Sequence, residues 1–218
     1  MSPKTSKYYS NERNNEYFID NNIDKVLFLD IDGVLKSYNR ISRLDSMENN
    51  SIESFYQQLK EKYNIDYSLY NKQGVISSYF DWDKNSISIL KDLLITSSAK
   101  IVLSSDWRLL GYKQMYDLFR FHDLHEFYID NTINLTYLPH KLKEKLENKY
   151  TKLLKIDTFW VPHYRTVEIL NYLKRHPFIK NYVAIDDKNI PCIESHFVKT
   201  SDLLLPQHAN MALKILKT

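Results

Sequence analysis

The chain holds a single cysteine, Cys192, among 218 residues. One thiol excludes an internal disulfide framework and suits a reducing compartment. No apolar run approaches the roughly 20 residues that a membrane-crossing helix needs. Residues 1–22 also lack the apolar core of a secretory signal. Those absences set the expectation of a soluble, cytoplasmic protein that does not enter a membrane. Internal repeats, low-complexity tracts and an interdomain linker are missing too, which argues against a repeat array or a string of domains. Only 3 glycines stand against 17 tyrosines. We read that skew as the mark of an A/T-rich genome, and no mechanism is built on it.

What is present is ordinary for a globular protein: 43% hydrophobic and 26% charged residues. The length suits one domain with a substantial core, expected over residues 23–218 after a polar lead-in at 1–22. A short helix is expected near Glu12–Ile19. The net charge of +3 permits an anionic substrate without requiring nucleic acid.

The most informative stretch is Lys25-Val-Leu-Phe-Leu-Asp-Ile-Asp-Gly-Val-Leu35. Its apolar run predicts a strand, 25–30, buried on both faces as in a parallel sheet covered by helices. Asp30 and Asp32 then stand at the carboxyl end of that strand, where such sheets gather ligands. Two crowded carboxylates losing hydration call for a cation, and Mg2+ suits carboxylate oxygens best. Gly33 allows a sharp or left-handed turn directly afterwards.

Two further runs end in the same way. Ile101-Val-Leu103 stops at Ser104 and Ser105, whose hydroxyls either donate to a phosphate oxygen or cap the next helix. Arg108 offers a guanidinium fork for an anion, and Trp107 reads as core. Tyr182–Ile185 stops at Asp186 and Asp187. Between them, Arg165 opens an amphipathic helix, where free amides already favour an anion. Arg40 and Arg43, in a polar flap at 36–50, are further candidates for reaching a phosphate. Helices are expected over 52–73 and 86–94, near 111–121 and, strongly basic, over 140–155, with a strand at 126–129 and a break at Trp160-Val-Pro162. If the three strands are parallel neighbours, their ends share one crevice and compose a metal-assisted phosphate site.

These residues resemble the haloacid dehalogenase (HAD) superfamily of aspartate-nucleophile phosphohydrolases. The matching motifs are Asp30-Ile-Asp-Gly33, Leu103-Ser104, a basic residue at a helix start and Asp186-Asp187. Val-Leu-Ser-Ser-Asp-Trp-Arg, Arg-Thr-Val-Glu-Ile-Leu and Ala-Ile-Asp-Asp look like a branch associated with nucleic-acid repair proteins. The resemblance implies an α/β fold: a three-layer, doubly wound, Rossmann-like core on a central parallel sheet. It leaves 45–97 as a small cap insertion and 131–159 as a helical insertion. It also implies the roles: Asp30 as nucleophile and Asp32 as acid and base. Mg2+ would be held by Asp30, the Asp32 carbonyl, Asp186 and Asp187, and phosphate by Ser104 and Arg165. Arg165 stands where the family usually has Lys, so Lys155 and Lys188 remain alternatives.

The expected activity is therefore phosphomonoester hydrolysis through an aspartyl-phosphate, on phosphorylated nucleic-acid ends or nucleotides. The alternatives are a phosphatase of a small metabolite or phosphoprotein, and a non-catalytic binding module that keeps the fold.

Overall fold

The computed structural model describes residues 22–39, 41–155 and 163–217. The expected helix near Glu12–Ile19, Arg40 and the Trp160-Val-Pro162 break lie outside them. The first strand, β1 (Lys25–Leu29), is followed by α1 (Asn49–Tyr63), α2 (Lys72–Phe80), α3 (Lys84–Ser97) and β2 (Lys100–Leu103). Then come α4 (Tyr112–Phe119), β3 (Tyr128–Asn131), α5 (His140–Leu154), α6 (His163–Arg175), β4 (Asn181–Asp186), β5 (Phe197–Lys199) and α7 (Pro206–Lys217). The five strands form one parallel sheet in the order β3-β2-β1-β4-β5. This is the doubly wound, Rossmann-like α/β architecture that the resemblance implies, on the parallel sheet expected from the apolar runs.

Side chains alternate along a strand, and the three central strands β1, β2 and β4 each bury both faces. Leu27, Leu29, Ile101, Leu103, Val183 and Ile185 enter one large cluster with the apolar sides of α1 to α4 and α7. Val26, Phe28, Val102 and Ala184 face the other way, onto Ile169 and Tyr172 of α6. The basic helix α5 lies outside α6, joined to it through Leu135, Tyr150 and Val167. Among the described residues, no helix is long and apolar enough to cross a membrane.

The winding reverses beside β1: β2 and β3 lie on one side of it, β4 and β5 on the other. Open α/β sheets leave a crevice at such a switch point, outside the carboxyl ends of the strands. Leu29 pairs in register with Leu103 of β2 and Ile185 of β4. The residues that follow all three strands therefore arrive at one level.

Several elements differ from expectation for local reasons. The helix expected over 52–73 ends at Tyr63, because Asn64 takes a left-handed conformation (φ 55°). A new helix then starts where the Asn71 side chain accepts from the Gly74 amide at 2.8 Å. The strand expected at 126–129 begins at Tyr128, since turn hydrogen bonds from Leu124 to Phe119 and from Phe127 to Leu124 hold the backbone before it. Asp83 caps α3 by accepting from the Ser86 amide at 2.8 Å, which lengthens the expected 86–94 helix to 84–97. Within the expected flap, Asp202 fixes Ser37 Oγ (2.7 Å) and the Tyr38 amide (2.9 Å).

The stretch 45–97 supplies three helices whose apolar residues, Ile52, Phe55, Val75, Ile76 and Leu90 among them, join the same cluster as the sheet. Phe55 is buried, with ring centroids 5.0 Å from both Tyr79 and Phe80. Phe55→Ala should therefore lower the stability of the whole chain by about 3–5 kcal/mol. Chemical denaturation should show one transition at a lower midpoint. A separate early transition, with the main one unmoved, would mean that this stretch folds as a unit of its own.

Candidate active site

Strand parity brings the functional side chains together. Asp30, Ser104 and Asp186 each stand two residues beyond a side chain facing α6, namely Phe28, Val102 and Ala184. All three therefore point to the side where the first turn of α6 carries Arg165. The backbone ladder continues to this level, with Asp30 donating to Ile185 at 3.0 Å and Ser104 donating to Leu29 at 2.8 Å.

Arg165 is the cation of this cluster. Its Nη1 donates to Ser104 Oγ at 3.3 Å, Nε lies 3.4 Å from an Asp186 oxygen, and Nη2 lies 4.0 Å from Asp30. Burial works against its charge, but Asp186 and Asp30 beside it hold the guanidinium protonated. Burial pushes the Asp30 carboxyl above its usual range, opposed by Arg165 and a hydrogen bond from Ser105. Burial, with Asp30 next to it, likewise pushes Asp186 up to about 7.

The ligand oxygens of Asp30, Asp186 and Asp187 all lie within 4.8 Å of one another. Asp187 Oδ1 is buried without a hydrogen-bond partner among the described residues. A crowd of hard oxygens, one of them orphaned, and two carboxyls raised by burial fit Mg2+ well. Gly33 makes the approach possible. Its φ of 79° is left-handed, and a Cβ there would come within 2.6 Å of the Asp187 Cβ.

The Asp32 carboxylate is not part of this group. It turns outward, one-third exposed, accepting from Trp107 Nε1 at 2.9 Å and Lys36 Nζ at 3.1 Å. Its backbone carbonyl accepts from Tyr38 Oη at 3.4 Å. Trp107, read from sequence as core, is thus half-buried and holds an acid at the site. The signal was its place behind Ser105, which opens a tight turn over Asp106–Leu110 and aims the indole. Ser105 accepts from the Trp107 amide at 3.5 Å, which is the capping reading, and its hydroxyl also serves Asp30.

Arg108 is buried as well, 6% exposed. Its Nη2 donates to Glu168 at 2.9 Å, and the other Glu168 oxygen accepts from the Leu135 amide at 2.8 Å. Lys155 caps the far end of α5. Lys188 is exposed, though its amide donates to Asp186 at 2.8 Å. Arg43 lies beside Asp81 and the Phe80 ring.

Removing one partner of a buried ion pair strands the other's charge. Arg108→Ala should cost about 3–5 kcal/mol, read as a lower denaturation midpoint. Adding Glu168→Gln should recover part of the loss, since the stranded charge is gone. Strict additivity of the two substitutions would count against direct pairing.

No curated protein and no solved structure matches the chain. A family model described as the HAD domain in Swiss Army Knife RNA repair proteins matches residues 26–204. That span runs from the first strand, through Asp30, Ser104, Arg165 and Asp186, to the start of α7. The chain belongs to this family of HAD domains from RNA repair proteins.

Proposed function

We propose that the protein is a Mg2+-dependent phosphomonoester hydrolase that works through an aspartyl-phosphate on Asp30. Its substrates are the phosphorylated ends of nucleic-acid strands, or nucleotides. The observation that carries this reading is Arg165, set between Ser104, Asp186 and Asp30 beside three converging carboxylates. The family description supports the nucleic-acid substrate.

In this reading, Ser104 and Arg165 hold the equatorial oxygens of the transferred phosphoryl group, where transition-state charge is spread. An Asp30 oxygen bonds to phosphorus as the bond to the leaving oxygen breaks. Asp32 gives its proton to that oxygen, then takes one from the water that attacks phosphorus and frees Asp30. Trp107 and Lys36 keep Asp32 at the mouth of the site, where leaving group and water both pass. Asp30, Asp186, Asp187 and the Asp32 carbonyl would hold Mg2+, which would supply positive charge to neutralise the phosphate. Arg108 serves indirectly, by occupying Glu168.

Asp30→Asn should reduce release of phosphate from an aryl phosphate to background at saturating Mg2+, since an amide forms no acyl phosphate. Retained turnover, with labelled phosphate trapped on another residue, would overturn the assignment.

Arg165→Ala should cost on the order of 2–4 kcal/mol of transition-state stabilisation, mostly in kcat. Arg165→Lys should restore part of the rate, as a point charge replacing a fork. Lys155→Ala and Lys188→Ala should change steady-state kinetics little; a loss from either that matches Arg165→Ala would move the role to that lysine.

A further inference from the structure

Helix α5 carries a feature that the reaction centre does not use. Lys141, Lys145, Lys149 and Lys152 recur at steps of four, four and three, which places them on one stripe of the helix. At about 1.5 Å per residue that stripe is roughly 16 Å long. The core-facing side of the same helix is occupied by Leu146, Tyr150 and Leu154, so the stripe is not needed for packing.

The helix's own acids do not neutralise the stripe. Glu144 lies 3.9 Å from His140 and Glu147 lies 4.0 Å from Lys143. Among the described residues, no acid lies within ion-pair distance of the four lysines or of Lys174, which α6 adds beside Lys149. Burial, and then the ammonium groups of Lys174 and Lys145, lower the Lys149 pKa. Like charges gathered this way destabilise a bare helix and favour an anion that spans them.

Helix α5 also borders the site, through the side that carries Lys143. A cavity of about 330 Å3 beside Arg165 is lined by Tyr164, Thr136, Asn134, Lys188 and Asn189. That is room for a nucleotide-sized group. Tyr164, on its wall, meets α5 directly, with the Lys143 ammonium 4.6 Å from its ring centroid. Farther along the two helices, Lys149 of the stripe meets Lys174 of α6.

We propose that the lysine face of α5 and Lys174 is a docking track for a single nucleic-acid strand, whose terminal nucleotide enters the cavity beside Arg165. The terminus rests on the hydrolase reading above; the track itself is read by binding alone. Lysines meet phosphates as point charges, so the track is indifferent to base sequence and sensitive to salt.

The test uses the full chain with Asp30→Asn and a short, fluorescently labelled single-stranded RNA bearing a terminal phosphate. Fluorescence anisotropy across a salt series should give an affinity that falls linearly on logarithmic axes. Adding Lys145→Ala, Lys149→Ala and Lys174→Ala should flatten that slope by about 2, from roughly 0.7 per lost contact on a single strand. A control with Lys84→Ala, Lys214→Ala and Lys217→Ala, on helices across the sheet, should keep slope and affinity. With Asp30 intact, the track variant should hydrolyse an aryl phosphate as the parent does while KM for the oligonucleotide rises. Loss of aryl phosphate hydrolysis in the parent would sink the hydrolase reading and leave the anisotropy result standing. Unchanged RNA binding in the track variant, equal loss in the control, or binding only to phosphatidylserine vesicles would overturn the track.

Discussion

The structure turns on one electrostatic problem: carboxylates buried together at the end of a parallel sheet. Asp30 and Asp186 are both nearly inaccessible, and each raises the other's cost of ionisation. Arg165 is the cation that the fold sets among them, through Asp186 and Asp30 together. One positive charge does not balance Asp30, Asp186 and Asp187, and an Asp187 oxygen remains without a partner. The cluster can therefore accept a further cation. The closeness of Gly33 to Asp187 belongs to the same demand, since any side chain there would open the cluster.

Much of this was legible in the chain because strand parity is a local rule. An apolar run that ends in Asp, Ser or Asp-Asp says which residue leaves the sheet, and a period of two says to which side. Three such runs were enough to place Asp30, Ser104 and Asp186 together once the strands were parallel neighbours. Arg165 was legible too, as a basic residue in the first turn of the helix covering that side. Element ends were harder. Asn64 and the turns before Tyr128 depend on single backbone conformations, which hydrophobic periodicity does not report.

The partners of side chains far apart in sequence were not legible. Trp107 looked like core because large aromatics usually are, and only the tight turn opened by Ser105 swings its indole to Asp32. Helix spacing alone puts Glu168 within reach of Arg165, three residues away. The fold instead gives both Glu168 oxygens to other donors, Arg108 and the Leu135 amide. Neither partner is near Glu168 in sequence, so no local pattern announced the arrangement.

That commitment explains how an arginine can work at position 165. A guanidinium has donors on several edges, and a free glutamate one turn along its own helix would be the nearest acceptor. Such a pair would draw Arg165 away from Ser104 and leave Asp30 and Asp186 with less compensation. Arg108 removes the competitor by holding Glu168 in a pair that is itself almost fully buried. Its own charge is disfavoured by burial and supported chiefly by Glu168, so the two depend on each other. The phosphate candidates in Ser-Ser-Asp-Trp-Arg thus divide by partner. Ser104 and Ser105 face the carboxylates, Trp107 holds Asp32, and Arg108 keeps Glu168 from competing for Arg165.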